Sequence, residues 1–345
     1  LYYIINTLIM SIRINQKCSI IFTRRCKMNI SKLLKGRDCA CGKSHICNIE
    51  KVVIEEGAIN RIYDLAAKYE SIVPECEVRK MDRLKRIKLF LLDMDGTIYL
   101  DNSLFDGTTD FLNYVKSIGG RYIFLTNNSS KSADKYIEKL NGMGIAADKN
   151  DFLTSTDATI EYLRKCNFKK IYALGTESFK EQLVMSGLNI TDEVSEGIDC
   201  LCMGYDTELT YKKLEDACIL LNEDIAYIAT NPDWVCPTRY GYAPDCGSIS
   251  EMIARATGKR PKFIGKPEPT MAELAMKMTG FDKSETAVMG DRLYTDIACG
   301  VNAGISTIFV LSGEGTKKDI EEYKIYPNYI FSDIRELCNK LKEEI

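Results

Sequence analysis

From Lys88 onward, short apolar runs alternate with amphipathic stretches of helical period. The runs at Leu89-Phe90-Leu91-Leu92 and at residues 121–126, 171–174, 199–203, 225–229, 286–289 and 306–310 predict strands. Residues 108–118, 134–143, 177–186, 211–221 and 295–302 carry the helical spacing, and Gly142 and Gly144 sit where a helix stop belongs. Strands alternating with helices predict an α/β fold with mostly parallel sheets. In such sheets ligands collect beyond the carboxyl ends of the strands. Asp93, Thr126 and Asp291 each fall at such an end.

The chain has 345 residues, enough for two domains or more. Its net charge of −3 speaks against a general nucleic-acid binder, which needs a basic surface to neutralise phosphates. No clean apolar span of membrane length appears, so neither nucleic acid nor membrane is an expected partner. Fourteen cysteines are scattered, several within periodic apolar segments (Cys200, Cys202, Cys218, Cys299), and read as reduced thiols of a cytoplasmic protein.

The single histidine, His45, excludes Ser-His-Asp and Cys-His hydrolases and multi-histidine metal centres downstream of it. Chemistry in this chain therefore runs on carboxylates, Lys, Thr, Ser or Cys, and a bound cation would be a hard one such as Mg²⁺.

Four separated segments share one logic. In Asp93-Met94-Asp95-Gly96-Thr97, two acids one residue apart follow a buried strand, and each raises the cost of ionising the other. A cation, or a task that needs one acid ionised and one protonated, offsets that cost. Thr126-Asn127-Asn128-Ser129-Ser130 offers hydroxyls, amides and backbone N–H groups as an anion cradle. Gly265-Lys266-Pro267-Glu268-Pro269 holds a lysine on a loop stiffened by two prolines, a fixed countercharge for a phosphate or a nucleophilic carboxylate. Gly290-Asp291-Arg292-Leu293-Tyr294-Thr295-Asp296 repeats the order strand, glycine, acid, helix. Any one of these is also an ordinary turn or cap. Their joint occurrence at strand ends, in this order, points to a site.

This set resembles the haloacid dehalogenase superfamily of phosphohydrolases, in the branch of NagD-type, p-nitrophenylphosphatase-like and arabinose-operon sugar phosphatases. The resemblance runs from about Lys88 to Val310. It takes in Leu174-Gly175-Thr176-Glu177, residues 228–233 and residues 310–313. It implies a Rossmann-like core with a parallel sheet and an inserted α/β cap of the C2 type, since about 140 residues separate Thr126 from Lys266. The implied division is core at 86–160 and 261–345 and cap at 161–260.

The resemblance also implies roles. Asp93 would be the nucleophile forming an aspartyl-phosphate, and Asp95 the acid and then the base. Thr126, the Asn127 region and Lys266 would grip the phosphate. Mg²⁺ would be held by the Asp93 carboxylate, the Asp95 backbone carbonyl and Asp291, with Asp296 orienting the metal site or Lys266. The implied substrates are small phosphomonoesters: sugar phosphates, glycerol phosphates or nucleotides. A homodimer through the cap is a further implication. Trp234, Arg239, Tyr240 and Tyr242 of the cap either clamp a sugar or base or pack the cap or its dimer face.

The amino-terminal part reads separately. Residues 1–28 form a poorly defined extension opening on Leu1, read as an alternative start codon or as sequence ahead of a start at Met10 or Met28. Cys39, Cys41, His45 and Cys47 are spaced too tightly for a usual zinc finger. Residues 29–71 instead resemble the start of sn-glycerol-1-phosphate dehydrogenases, so 29–85 reads as a truncated remnant with a charged linker. Two alternatives to a phosphatase follow. One is a phosphotransferase using the same aspartyl-phosphate; the other is a regulatory module of glycerol-phosphate metabolism.

Overall fold

Strand β1 (Leu89–Leu92) is buried along its whole length, which explains why it reads as an uninterrupted apolar run. The computed structural model describes residues 81–238 and 241–343. The readings placed on residues 1–80, including the cysteine–histidine cluster and the dehydrogenase-like segment, lie outside the described residues, as do Arg239 and Tyr240.

A six-stranded parallel sheet forms around β1. Its other members are β4 (Arg121–Thr126), β5 (Phe152–Thr154), β13 (Thr286–Gly290), β14 (Ser306–Val310) and β15 (Tyr329–Phe331). The order is β15-β14-β13-β1-β4-β5. Because side chains alternate across a strand, β1 serves both faces. Phe90 meets Phe111 of helix α1 (Thr108–Ser117) edge-on, with ring centroids 5.1 Å apart. Leu89 and Leu91 join Met271, Ala272 and Ala275 of α7 (Thr270–Thr279). A small antiparallel hairpin, β2 (Tyr99–Leu100) and β3 (Ser103–Leu104), follows β1. Helix α2 (Ala133–Gly142) connects β4 to β5, and α9 (Ile334–Lys342) packs beside α1.

Helix α3 (Ser155–Cys166) leaves β5 through a capping box, in which Thr154 and Asp157 exchange side-chain and backbone hydrogen bonds. It leads to a second parallel sheet of five strands. These are β6 (Ile171–Leu174), β7 (Ile190–Thr191), β8 (Cys200–Met203), β9 (Ala226–Ala229) and β12 (Lys262–Phe263), in the order β12-β9-β8-β6-β7. Alternation sorts its two faces as well. Ala173, Cys200, Cys202 and Ile228 pack toward α3 and α4 (Glu177–Met185). Tyr172, Leu201, Met203 and Tyr227 pack toward α5 (Tyr211–Leu220) and α6 (Cys246–Thr257).

An antiparallel hairpin, β10 (Val235–Thr238) and β11 (Gly241–Pro244), stands apart from both sheets. The chain is thus an α/β core with an inserted α/β cap. No helix among the described residues is long and apolar enough to cross a membrane.

Candidate active site

The strands β4, β1 and β13 are neighbours, so the residues just past their carboxyl ends converge. Asp93 follows β1, and its N–H donates to the Met289 carbonyl at 2.9 Å. Lys266 lies on the segment returning from the cap and is 3 % exposed. Its ammonium donates to Asp93 Oδ1 at 2.6 Å, to Asp296 Oδ1 at 2.6 Å and to the Leu125 carbonyl at 3.3 Å. An ammonium has three protons, and each has a partner. Burial alone would discharge Lys266, but Asp296 and Asp93 outweigh it and hold the ammonium above its ordinary pKa.

Asp291 and Asp296 complete the acidic floor. Asp291 Oδ2 accepts from the Glu314 N–H at 2.7 Å, and the Thr97 hydroxyl donates to Oδ1 at 3.4 Å. Its carboxylate lies against two glycines: a Cβ on Gly96 would sit 2.5 Å from Asp291 Oδ2, and one on Gly313 would sit 2.0 Å from it. Gly96 also has φ +83°, a conformation that favours glycine. Asp296 comes from a π-helical turn, Leu293–Ile297, that precedes the short helix α8 (Ala298–Ala303). Both its oxygens are engaged, Oδ1 by Lys266 and Oδ2 by the Arg292 N–H at 3.1 Å. Gly290 makes room for it, since a Cβ there would lie 2.3 Å from Asp296 Cβ.

One carboxylate oxygen each from Asp93, Asp291 and Asp296 lies within 4.8 Å of the others. Burial, joined by Asp296 and Asp291 and opposed by Lys266, raises the Asp93 pKa well above that of an ordinary aspartate. Burial and Asp296 push Asp291 to about 6. Crowded, desolvated oxygen donors of this kind are stabilised by a hard divalent cation, so the donor set fits Mg²⁺.

Asp95 stands apart from that acidic group. Its side chain is 62 % exposed and faces Lys139 at 3.8 Å, while the Tyr99 hydroxyl donates to it at 3.3 Å. Water reaches the carboxyl, yet the surrounding protein still desolvates it. That desolvation raises its pKa against the opposing pull of Lys139 and Tyr99.

Thr126 is nearly buried, and its hydroxyl accepts from the Asn128 N–H at 3.1 Å. Asn127 turns its side chain to Lys266: Oδ1 accepts the Lys266 N–H at 2.8 Å and Nδ2 donates to the Lys266 carbonyl at 2.9 Å. The rest of the polar run stitches core to cap. The Ser129 hydroxyl accepts from the Tyr205 N–H at 2.8 Å and shares a 2.8 Å bond with the Thr230 hydroxyl. Asn128 Oδ1 accepts from the N–H and hydroxyl of Ser130.

Two acids of the cap escaped the sequence reading. Asp233 accepts from Asn127 Nδ2 at 3.2 Å through both oxygens. Asp245, 4 % exposed at the start of α6, is pushed to about 7 by burial and by Asp233. The signal for Asp233 was a strand end followed by Thr230-Asn231-Pro232-Asp233, the same kind of polar run that follows β4. Trp234 and Tyr242, singled out from sequence, are 57 % and 65 % exposed at the β10–β11 hairpin.

Two family profiles match the chain: haloacid dehalogenase-like hydrolase over residues 90–189 and HAD-hydrolase-like over residues 263–337. The acid sugar phosphatase of Staphylococcus saprophyticus is 35% identical over 261 residues, covering 75% of this chain and 100% of that protein. Among solved structures, 4-nitrophenylphosphatase from Thermotoga maritima superposes with a TM-score of 0.71 at 41% identity, covering 75% of this chain and 99% of that one. Glycerol phosphate phosphatase from Mycobacterium tuberculosis in complex with magnesium gives a TM-score of 0.69 at 28% identity, covering 74% of this chain and 77% of that one. With its acids and lysine gathered at the ends of β1, β4 and β13, the chain belongs to the haloacid dehalogenase-like hydrolases, in the branch of NagD and the p-nitrophenylphosphatases.

Proposed function

We propose that this phosphomonoester hydrolase acts on small phosphate esters, of sugars, glycerol or nucleosides, through an aspartyl-phosphate on Asp93 with Mg²⁺ as cofactor. The observation that carries the reading is the contact of Lys266 with Asp93 at the end of β1, beside Asp291. The relatives named for acid sugar phosphatase, nitrophenylphosphatase and glycerol phosphate phosphatase support the substrate class.

Asp93 and Asp291 are the residues that would hold the cation, joined by the Asp95 backbone carbonyl. When bound, Mg²⁺ offsets the repulsion between an anionic nucleophile and an anionic phosphate. The Asp93 carboxylate attacks phosphorus as the bond to the leaving oxygen breaks, and the protonated Asp95 gives that oxygen its proton. Asp95, now a carboxylate, takes a proton from water as the water attacks the aspartyl-phosphate, releasing phosphate and restoring Asp93. The raised pKa of Asp95 suits the first of these tasks and its exposure to water suits the second.

Lys266 supplies a fixed positive charge beside the nucleophile, held by Asp296 so that it needs no reorganisation during reaction. Thr126 and the backbone of the Asn127 region would grip the phosphoryl oxygens. The exposed Trp234 and Tyr242 are available to the leaving group of the ester. A homodimer through the cap belongs to the same proposal, supported by the exposed Tyr211, Ile219 and Met252 on α5 and α6. So does a cytoplasmic location, supported by the buried free thiols of Cys200 and Cys202.

A panel of sugar, glycerol and nucleoside phosphates assayed for inorganic phosphate with and without Mg²⁺ tests the reading. Metal-dependent phosphate release is expected. Transfer of the phosphoryl group to an alcohol without phosphate release would overturn it in favour of a transferase.

A further inference from the structure

We propose that Asp233 of the cap is a positioning residue for Lys266, acting through the side-chain amide of Asn127. The inference rests on the reading of Lys266 as the countercharge of the site.

An amide is nearly symmetric in shape, so something must decide which end of Asn127 faces which way. Its oxygen accepts the Lys266 N–H at 2.8 Å, and its nitrogen donates to the Lys266 carbonyl at 2.9 Å. The second proton of that nitrogen goes to the Asp233 carboxylate, 3.2 Å from each oxygen. Burial raises the Asp233 pKa, while the Asn127 hydrogen bond and the Lys266 charge oppose that shift and favour the carboxylate, which only accepts. In the reversed orientation the Asn127 oxygen would face Asp233 and the Lys266 carbonyl, three acceptors with no proton among them. The Lys266 N–H would meanwhile face an NH₂ group. Asp233 therefore reinforces the one orientation that the Lys266 N–H and carbonyl also favour, in which the Lys266 backbone is clamped from both sides.

Asp233 is itself held. Its N–H donates to Asn231 Oδ1 at 3.0 Å, and Asn231 Nδ2 donates to the Asn127 carbonyl at 2.7 Å, closing a ring from cap to core and back. The Asp233 carbonyl accepts from the Gly247 N–H at 2.8 Å. Two glycines allow this closeness. A Cβ on Gly247 would lie 2.2 Å from the Pro232 carbonyl oxygen, and one on Gly265 would lie 2.6 Å from Asn127 Oδ1. The turn after β9 thus grips the same residue that grips Lys266, and Lys266 reaches Asp93 and Asp296 from that clamped backbone.

The test compares Asp233→Ala and Asp233→Asn for kcat and KM on p-nitrophenyl phosphate, and for hydrogen exchange at the Lys266 backbone amide. Asp233→Ala is expected to lower kcat roughly 10–100-fold, the scale of a misplacement near the chemistry. KM should change far less, and the Lys266 amide should exchange faster. Asp233→Asn keeps an acceptor but can also donate, so it should recover both readouts in part. Asp233→Leu, which keeps bulk without the acceptor, takes the place of Asp233→Ala if that variant does not fold. Wild-type kcat and exchange in Asp233→Ala or Asp233→Leu would overturn the proposal, and so would an Asp233→Asn as impaired as Asp233→Ala. If Asp93→Asn retained turnover, the functional reading would fail while the exchange comparison still decided the relay.

Discussion

Lys266 and Asp93 are 173 residues apart in the chain and 2.6 Å apart in the fold. The same ammonium touches Asp296. Removing it would strip Asp93, the proposed nucleophile, of its neighbouring charge and leave Asp296 buried without its ammonium partner.

Lys266→Met is therefore expected to lose activity by about 10²–10³, the range for removal of a preorganised electrostatic group. It should also destabilise the fold by roughly 3–5 kcal/mol, because a buried pair has lost one member. Adding Asp296→Asn should recover part of the stability and none of the activity. Denaturant titration and steady-state kinetics on the three proteins check both statements.

Gly313→Ala addresses the cation rather than the nucleophile. Its Cβ would lie 2.0 Å from Asp291 Oδ2, so the carboxylate must move. We expect a higher Mg²⁺ concentration for half-maximal activity, with kcat at saturating metal reduced less. Titration of activity against Mg²⁺ reads the shift directly.

Asp95→Asn separates the two half-reactions. p-Nitrophenolate leaves without needing a proton, so the first step should survive, while hydrolysis of the intermediate loses its base and slows by about 10²–10⁴. The expected trace is a burst of one nitrophenolate per site followed by slow turnover. Stopped-flow absorbance would show it.

The pH dependence of stability carries a signature of the cap. The pKa of Asp245 is about 7 in the folded chain against 3.8 for an ordinary aspartate. Between those values the folded state binds the proton and the unfolded state does not, so this group's contribution falls as pH rises through that window. Asp245→Asn should melt several degrees above wild type at pH 8, at roughly 2–4 °C per kcal/mol, and the difference should shrink toward pH 4. Thermal melts across that range test the sign.

Much of this was readable in advance, for physical reasons. Leu89–Leu92 and Ile308-Phe309-Val310 are buried on both faces, so they appear as apolar runs that hardly admit another reading. The motif acids sit directly after such runs, and strand ends carried Asp93, Thr126 and Asp291 to one edge. Several strands were too short to show a period. β5 and β15 have three residues each, and β12 has two. Residues 293–297 wind as a π-turn, which blurs the start of a helix read from 295.

Asp233 was missed for a different reason. Its partner Asn127 is 106 residues away, and its role depends on the orientation of an amide, which no local pattern encodes. Within the polar run 126–130, the sequence suggested a cradle, while the fold assigns Asn127 to Lys266 and Ser129 to Tyr205 and Thr230.

The proposed chemistry requires that Asp93 become covalently phosphorylated. Rapid acid quench of the enzyme turning over p-nitrophenyl phosphate with Mg²⁺, followed by peptide mass spectrometry, tests it most directly. One phosphoryl group is expected on the peptide containing Asp93, enriched in Asp95→Asn and absent from an inactive Asp93→Asn. Full turnover by Asp93→Asn, or a label on another residue, would contradict it.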